Sequence, residues 1–308
     1  MNTPIQKMSG QYSNNDIFIK RDDLIPFSFG GNKVRKAKLF FEDIENKKCD
    51  CIVTYGSSSS NHCRIVSNMS AARGIKCIII TPNEKKENTY NRKMMDLFGA
   101  EIINCKISDV KETIESTLDK LREKKYKPYF IQGGGHGDIG TKAYVNAFEE
   151  ILSYEIENKI KFDYIFHTSG TGTTQAGLIC GSLLNKDRRK IIGISNARKN
   201  PNGSQVVLDS VNSYLKSIGN ITVGLEVVDF VDEYIINGYG SSNDEVMKTI
   251  REILVKDGVP LDMTYTGKGF WGMKKYLEKN QIIRKNILFI HTGGTPLFFD
   301  DLEAINND

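Results

Sequence analysis

The chain has no stretch that approaches the 18 or more consecutive apolar residues of a membrane span. Its first sixteen residues have no apolar core of the kind a secretion signal carries, so a cytoplasmic protein is expected. Excess charge is scarce as well. Lys and Arg number 42 against 38 Asp and Glu, a net +4 over 308 residues. No basic stripe interleaved with aromatics stands out, so nucleic acid is not expected as a partner. The paired Cys-x2-Cys and His-x3-His spacings of zinc sites do not occur. Neither does the Gly-Lys-Ser/Thr ending of a Walker A loop, nor the Gly-x-Ser-x-Gly of a nucleophile elbow. These absences argue against a zinc site, a P-loop enzyme and a serine hydrolase, and no metal is expected.

What is present suits a soluble globular protein: 39% hydrophobic and 26% charged residues. The six cysteines, Cys49, Cys51, Cys63, Cys77, Cys105 and Cys180, read as buried thiols in a chain of this size without a signal. Seven short apolar runs read as strands: Cys51–Tyr55, Lys76–Thr81, Ala100–Cys105, Tyr129–Gln132, Tyr164–His167, Lys190–Ser195 and Asn286–His291. They are rich in Ile and Val without polar alternation, which is the pattern of strands buried on both faces of a parallel sheet. Helical patterns lie between them, at Val34–Asn46, Asn61–Arg73, Tyr90–Phe98, Val110–Lys124, Gly140–Leu152 and Thr174–Leu184. In the first, Val34, Ala37, Phe41 and Ile44 form one apolar stripe. The alternation predicts an α/β protein with mostly parallel sheets. Residues 199–220 are polar and break the periodicity, which suggests a surface excursion or a partner contact.

Five segments can carry chemistry. In Gly30-Gly31-Asn32-Lys33, two glycines make a tight turn, Asn32 can cap the next helix, and Lys33 sits at a helix N-terminus. Partial positive charge there disfavours its protonated form. A neutral amine suits Schiff-base chemistry, although a solvated lysine among Arg35, Lys36 and Lys38 fits the segment alone. Ser169-Gly170-Thr171-Gly172-Thr173-Thr174 follows a strand and opens a helix, the arrangement of a phosphate cradle. Gln175 takes the third glycine position of a dinucleotide fingerprint, so a smaller phosphate-bearing cofactor is expected. Ser57–Ser60 with Asn61 and His62 follows a strand end and can orient a planar ligand or a carboxylate. Thr264–Gly269 and His291–Pro296 are polar turns able to close a site.

In this order the motifs KRDDL, GGNKVRK, SNHCR, SGTGTTQAGL, GYG, LDMTYTGKG and HTGGTP cover almost the whole chain. Together they resemble the pyridoxal-phosphate enzymes of fold type II, which are tryptophan-synthase-β-like. More narrowly, they resemble the 1-aminocyclopropane-1-carboxylate deaminase / D-cysteine desulfhydrase family. The resemblance implies two domains of open twisted sheets, a large one at 1–45 plus 153–308 and a small one at 46–152, with pyridoxal phosphate in the cleft and a homodimer as the assembly. It implies that Lys33 carries the cofactor and that Asn61 contacts its phenolic oxygen. Ser169 and the run from Gly170 to Thr174 then form the phosphate loop, Ser60 stands beside the substrate, and Tyr239 and Tyr265 are active-site tyrosines. Thr292 is implied near the pyridine nitrogen, and Thr266 borders the cofactor.

Family members that open the cyclopropane ring carry Glu and Leu where this chain has Thr266 and Thr292. The threonines match the desulfhydrase pattern and favour β-elimination from a D-amino acid, D-cysteine first. Lys33, released from the cofactor, is placed to act as a general base. A threonine rather than a carboxylate at the ring nitrogen leaves the carbanion less deeply stabilised, which favours elimination over racemisation. Ser58-Ser59 and Gly133-Gly134-Gly135-His136-Gly137 depart from the family pattern in two loops that should border the substrate, where His136 can meet a carboxylate or sulfonate. Cyclopropane-ring deamination, a cysteate lyase and a non-catalytic binding protein on the same scaffold are the competing readings.

Overall fold

A computed structural model describes residues 1–83 and 88–306. Among them run ten strands: β1 (Ile5–Tyr12), β2 (Asn15–Arg21), β3 (Cys51–Tyr55), β4 (Lys76–Pro82), β5 (Glu101–Cys105), β6 (Pro128–Ile131), β7 (Tyr164–Ser169), β8 (Lys190–Ser195), β9 (Asp229–Val231) and β10 (Asn286–His291). The α-helices are α1 (Asn32–Asn46), α2 (Asn61–Ala71), α3 (Tyr90–Leu97), α4 (Val110–Glu123), α5 (Asp138–Asn158), α6 (Thr173–Leu184), α7 (Asn202–Ser217), α8 (Asp244–Asp257), α9 (Thr266–Lys279), α10 (Thr295–Asp300) and α11 (Leu302–Asn306). The protein is α/β, as the strand–helix alternation predicts.

The chain divides into two compact units, Met1–Asn32 with Thr141–Asp308, and Lys33–Gly140. These limits fall about a dozen residues before those expected from the sequence. The α1 stripe of Val34, Ala37, Phe40, Phe41 and Ile44 is buried, so that helix goes with the smaller unit.

The smaller unit holds a four-stranded sheet in the order β5-β4-β3-β6, every pair parallel. Alternation along the strands sends Cys51, Val53, Ile78 and Ile80 to the face covered by Leu121, Leu118 and Ile114 of α4. Ile52 and Ile79 point the other way and are equally buried. The edge strand β5 is the exception to the two-face burial expected of it. It has no fully buried residue, because only one neighbour covers it.

The larger unit holds a six-stranded sheet in the order β1-β2-β10-β7-β8-β9. It is parallel except for the β1/β2 pair. Its core joins Ile17, Ile19, Phe166, Ile192, Ile194, Ile287 and Phe289 of the sheet to Ile250 and Ile253 of α8 and Phe270, Met273 and Leu277 of α9.

The 199–220 segment is a helix rather than an excursion. α7 buries Gly203, Ser204, Val207, Ser210, Val211, Tyr214 and Leu215 along one face. Glycine and serine on that face lower the apparent amphipathicity while allowing close packing. Strand β2 also escapes the periodicity, because it carries fully buried charge. Lys20 Nζ lies 2.9 Å from Glu150, and the Arg21 guanidinium makes a bidentate pair with Asp23 at 2.7–3.2 Å. All six cysteines are free thiols. Among the described residues no helix is long and apolar enough to cross a membrane.

Candidate active site

In the smaller unit the chemistry gathers at the C-terminal ends of β3 and β6. Lys33 Nζ donates to the Gly134 carbonyl at 2.9 Å. Burial pushes the Lys33 amine down from its ordinary 10.5 to about 8, with Cys63 pulling the other way. Desolvation, rather than the helix N-terminus expected from sequence, is the leading cause. The Gly133–Gly137 loop thereby acquires a task. Gly134 turns back at φ +74° and presents its carbonyl to the lysine.

Ser60 caps α2 by accepting from Cys63 N at 3.2 Å, which leaves its hydroxyl proton to donate. Asn61 Oδ1 accepts from Arg64 Nη1 at 3.1 Å and from Asn91 Nδ2 at 3.0 Å. The serine loop is tied down through its backbone. Thr89 Oγ1 donates to Ser58 O at 2.8 Å and Asn91 Nδ2 donates to Ser59 O at 2.7 Å. His62 is structural. The Thr54 hydroxyl spends its one proton on the Ile131 carbonyl, so His62 Nε2, 2.9 Å away, must be the donor to it. Burial, with Lys33 and Lys36 nearby, keeps the imidazole well below its ordinary value and therefore uncharged.

In the larger unit, β7 runs through Ser169 into the turn that opens α6. Gly172 stands at the N-cap with φ +94°, and no side chain caps the helix. A side chain there would be strained and would press on Val206. The first N–H groups of α6 and its positive dipole end are left for an anion. Ser169 Oγ is buried and has no hydrogen-bond partner among the described residues. A buried hydroxyl left over at the mouth of an uncapped helix is what a phosphate group would satisfy.

Asn32 does not cap α1. Its Nδ2 donates to Thr174 Oγ1 at 3.2 Å, and its backbone N donates to Thr292 O at 2.9 Å. The residue before Lys33 is thus fastened to the first turn of α6 and to the turn after β10. Gly31 N donates to Asp22 O at 2.7 Å, and a Cβ on Gly31 would lie 2.8 Å from Thr292 O. The KRDDL segment, the double glycine and the HTGGT turn pack backbone on backbone, which a side chain at position 31 would prevent. KRDDL itself is scaffold, with Asp22 accepting from Thr3 and Tyr144 hydroxyls at 2.8 and 2.6 Å.

Tyr239 and Tyr265 stand together, their hydroxyls 2.6 Å apart and their rings edge to face at 5.8 Å. Thr266 is turned to Asp262, which accepts its hydroxyl at 2.7 Å and the N–H groups of residues 264, 265 and 266 at 2.7–3.0 Å. Burial holds the Asp262 carboxyl above its usual range against these four bonds. The Thr292 side chain is half-buried at the end of β10.

Sequence reasoning missed Lys268. It is fully buried in the larger unit, with Nζ facing Gly238 O at 2.9 Å, Ile235 O at 3.3 Å, Asn196 O at 3.4 Å and Ser241 Oγ at 3.5 Å. This amine anchors the loop that presents Tyr239. Arg64 and Asn91 were likewise hidden, because a charged and an amide side chain read as surface.

The family model described as pyridoxal-phosphate dependent enzyme matches residues 1–293. The chain belongs to that family, in fold type II, and its cofactor is pyridoxal phosphate. The D-cysteine desulfhydrase of Yersinia enterocolitica serotype O:8 is 31% identical over 307 residues, covering 96% of this chain and 92% of that protein. The one from Yersinia pestis strain Pestoides F is 30% identical with the same coverage. A crystal structure described as an ACC deaminase homologue superposes with a TM-score of 0.90 at 29% identity, covering 99% of this chain and 93% of that one. Each unit holds residues that fit part of the cofactor: in the smaller an amine lowered to about 8, and in the larger an uncapped glycine turn with a buried hydroxyl that has no partner among the described residues.

Proposed function

We propose that this protein is a lyase that converts D-cysteine and water into pyruvate, ammonia and hydrogen sulfide by β-elimination. One observation carries the chemistry: a lysine amine brought to about 8 by burial and held by a single carbonyl. The choice of substrate is supported by the relatives named D-cysteine desulfhydrase and by threonine at positions 266 and 292.

Bound pyridoxal phosphate supplies an aldehyde and an electron-accepting ring that lowers the pKa of the substrate's Cα–H. The chain's residues do the rest. Ser169 Oγ and the backbone N–H groups from Gly170 to Thr174 hold the phosphate. Asn61 would meet the phenolic oxygen and Thr292 the ring nitrogen. The Ser60 hydroxyl donates to the substrate carboxylate. Lys33 Nζ would hold the cofactor and would serve as the base for the substrate's Cα proton. One of the Tyr239 and Tyr265 hydroxyls, 2.6 Å apart, donates to the other, and the pair would deliver a proton to the departing sulfur. Thr266 borders the cofactor through the backbone turn that Asp262 holds. Within this reading the protein is cytoplasmic and works as a homodimer, with a larger cofactor-binding domain and a smaller one.

The test is a panel of D- and L-cysteine, cysteate, serine, both β-chloroalanines and 1-aminocyclopropane-1-carboxylate, scored for keto acid. Pyruvate from D-cysteine and β-chloro-D-alanine alone is expected. 2-Oxobutyrate from the cyclopropane substrate would replace the reading with ring-opening deamination, which the likeness to the ACC deaminase homologue favours.

A further inference from the structure

Arg64 of α2 and Asn91 of α3 belong to the smaller unit, both with no exposed surface. Neither belongs to the cofactor contacts proposed above. Arg64 Nη1 reaches two amide oxygens, Asn61 Oδ1 at 3.1 Å and Asn91 Oδ1 at 3.0 Å. Asn91 Nδ2 then donates to Asn61 Oδ1 at 3.0 Å and to Ser59 O at 2.7 Å.

The logic of this ring is one-directional. A guanidinium has donors and no acceptor. Each asparagine must therefore face Arg64 with its oxygen, and neither amide can be reversed without placing N–H against N–H. Asn91, oriented in this way, has its nitrogen free to serve the backbone carbonyl and the second lone pair of Asn61 Oδ1. Both lone pairs of that oxygen are then occupied. The remaining capacity of the half-buried Asn61 side chain is its Nδ2, which can only donate.

We infer that Arg64 and Asn91 are positioning residues that lock the Asn61 amide with its Nδ2 outward, so that Asn61 meets the cofactor's phenolic oxygen as a donor and holds it in its ionised form. The inference rests on the proposed contact between Asn61 and that oxygen. A donor that cannot turn over stabilises the phenolate, whereas a freely flipping amide would present its own oxygen part of the time. Burial pushes the Arg64 guanidinium down to about 9, which still leaves it protonated, and so a donor only, at neutral pH.

The test titrates the apoprotein with pyridoxal phosphate, reading Kd by equilibrium dialysis and the position of the visible band against pH. Asn61→Asp keeps an acceptor for Arg64 and Asn91 but offers no donor. It should melt near the wild type, bind the cofactor roughly ten- to a hundredfold more weakly, and move the band to shorter wavelength as the phenol regains its proton. Asn91→Leu should shift both readouts in the same direction by a smaller amount, roughly fivefold in Kd. Arg64→Leu should shift them more, and Arg64→Lys, which restores a donor between the amides, should recover part of the loss. A merely structural role would move melting temperature without moving the band. Wild-type Kd and band in folded Asn91→Leu and Arg64→Lys, with both readouts shifted in Asn61→Ala, would overturn the positioning role alone. Unchanged readouts in Asn61→Ala would remove the contact itself and the inference with it. Wild-type behaviour of Asn61→Asp would overturn the donor assignment. If Arg64→Leu does not fold, Asn91→Leu and Asn61→Asp still decide.

Discussion

Lys33 in the smaller unit and Lys268 in the larger make an instructive pair. Burial pushes both amines from an ordinary 10.5 to about 8. Their surroundings differ. Among the described residues Lys33 Nζ has one carbonyl partner, at 2.9 Å, whereas Lys268 Nζ faces three carbonyls and a hydroxyl between 2.9 and 3.5 Å. An amine with one partner can leave it to react. An amine whose donors are all engaged is a brace. A lowered pKa therefore does not by itself mark a reactive lysine, and the number of partners separates the two.

The comparison can be broken most directly at Lys33. Lys33→Ala should cut keto-acid release by roughly 10³-fold or more, since attachment and general-base roles are lost together. Borohydride reduction should also no longer label the protein. An active Lys33→Ala variant would leave the two lysines without distinction.

Lys268→Met should keep borohydride-sensitive attachment at Lys33 but strand several buried carbonyls, at a cost of about 2–4 kcal/mol in stability. Release of the Tyr239 loop should lower kcat about 10- to 100-fold, less than the roughly 10²–10⁴-fold lost when a general acid is removed outright. Thermal unfolding and steady-state kinetics measure the two effects. Wild-type stability in Lys268→Met would show that the brace carries nothing.

A third experiment uses pH. Covalent attachment of pyridoxal phosphate to the apoprotein needs the free base of Lys33, whose pKa is lowered to about 8. The attachment rate should rise roughly tenfold per unit as pH approaches about 8 from below and level off above it. Lys268→Met should leave this profile in place. A midpoint near the ordinary lysine value would refute the buried, reactive state of Lys33.

The smallest effect is expected at Ser241, whose hydroxyl donates to Gly238 O at 2.7 Å and lies 3.5 Å from Lys268. Ser241→Ala should cost about 1 kcal/mol, with kcat nearly unchanged, because the carbonyls hold the lysine. A loss equal to that of Lys268→Met would move the brace from the carbonyls to the hydroxyl.

How far the fold can be read from sequence depends on where polar groups end up. Strands β3, β4, β7, β8 and β10 are continuous apolar runs, and the structure has them within two residues of where those runs lie. Strand β2 reads as surface because Lys20 and Arg21 sit in it, yet both are buried by pairing with Glu150, 130 positions away, and with Asp23. Helix α7 hides because small polar residues occupy part of its packed face. At the candidate site, the lysine after the double glycine and the glycine–threonine turn stand out by local spacing. Lys268, Arg64 and Asn91 do not, since nothing near them in the chain shows that a charge or an amide will be enclosed.

The sequence by itself determined the class of chemistry through seven motifs in one order that together resemble a known family; of these the glycine-rich turn between strand and helix is a local pattern whose function follows from backbone geometry, whereas the lysine segment alone also fits a solvated side chain. Only the tertiary structure decided how those groups are tuned. It withdrew the Lys33 amine from water, left Ser169 without a partner among the described residues, closed the Arg64 ring on Asn61, and turned Thr266 and Lys268 inward to hold loops. Each of these depends on which residues pack around the group, and on the water lost in bringing them there.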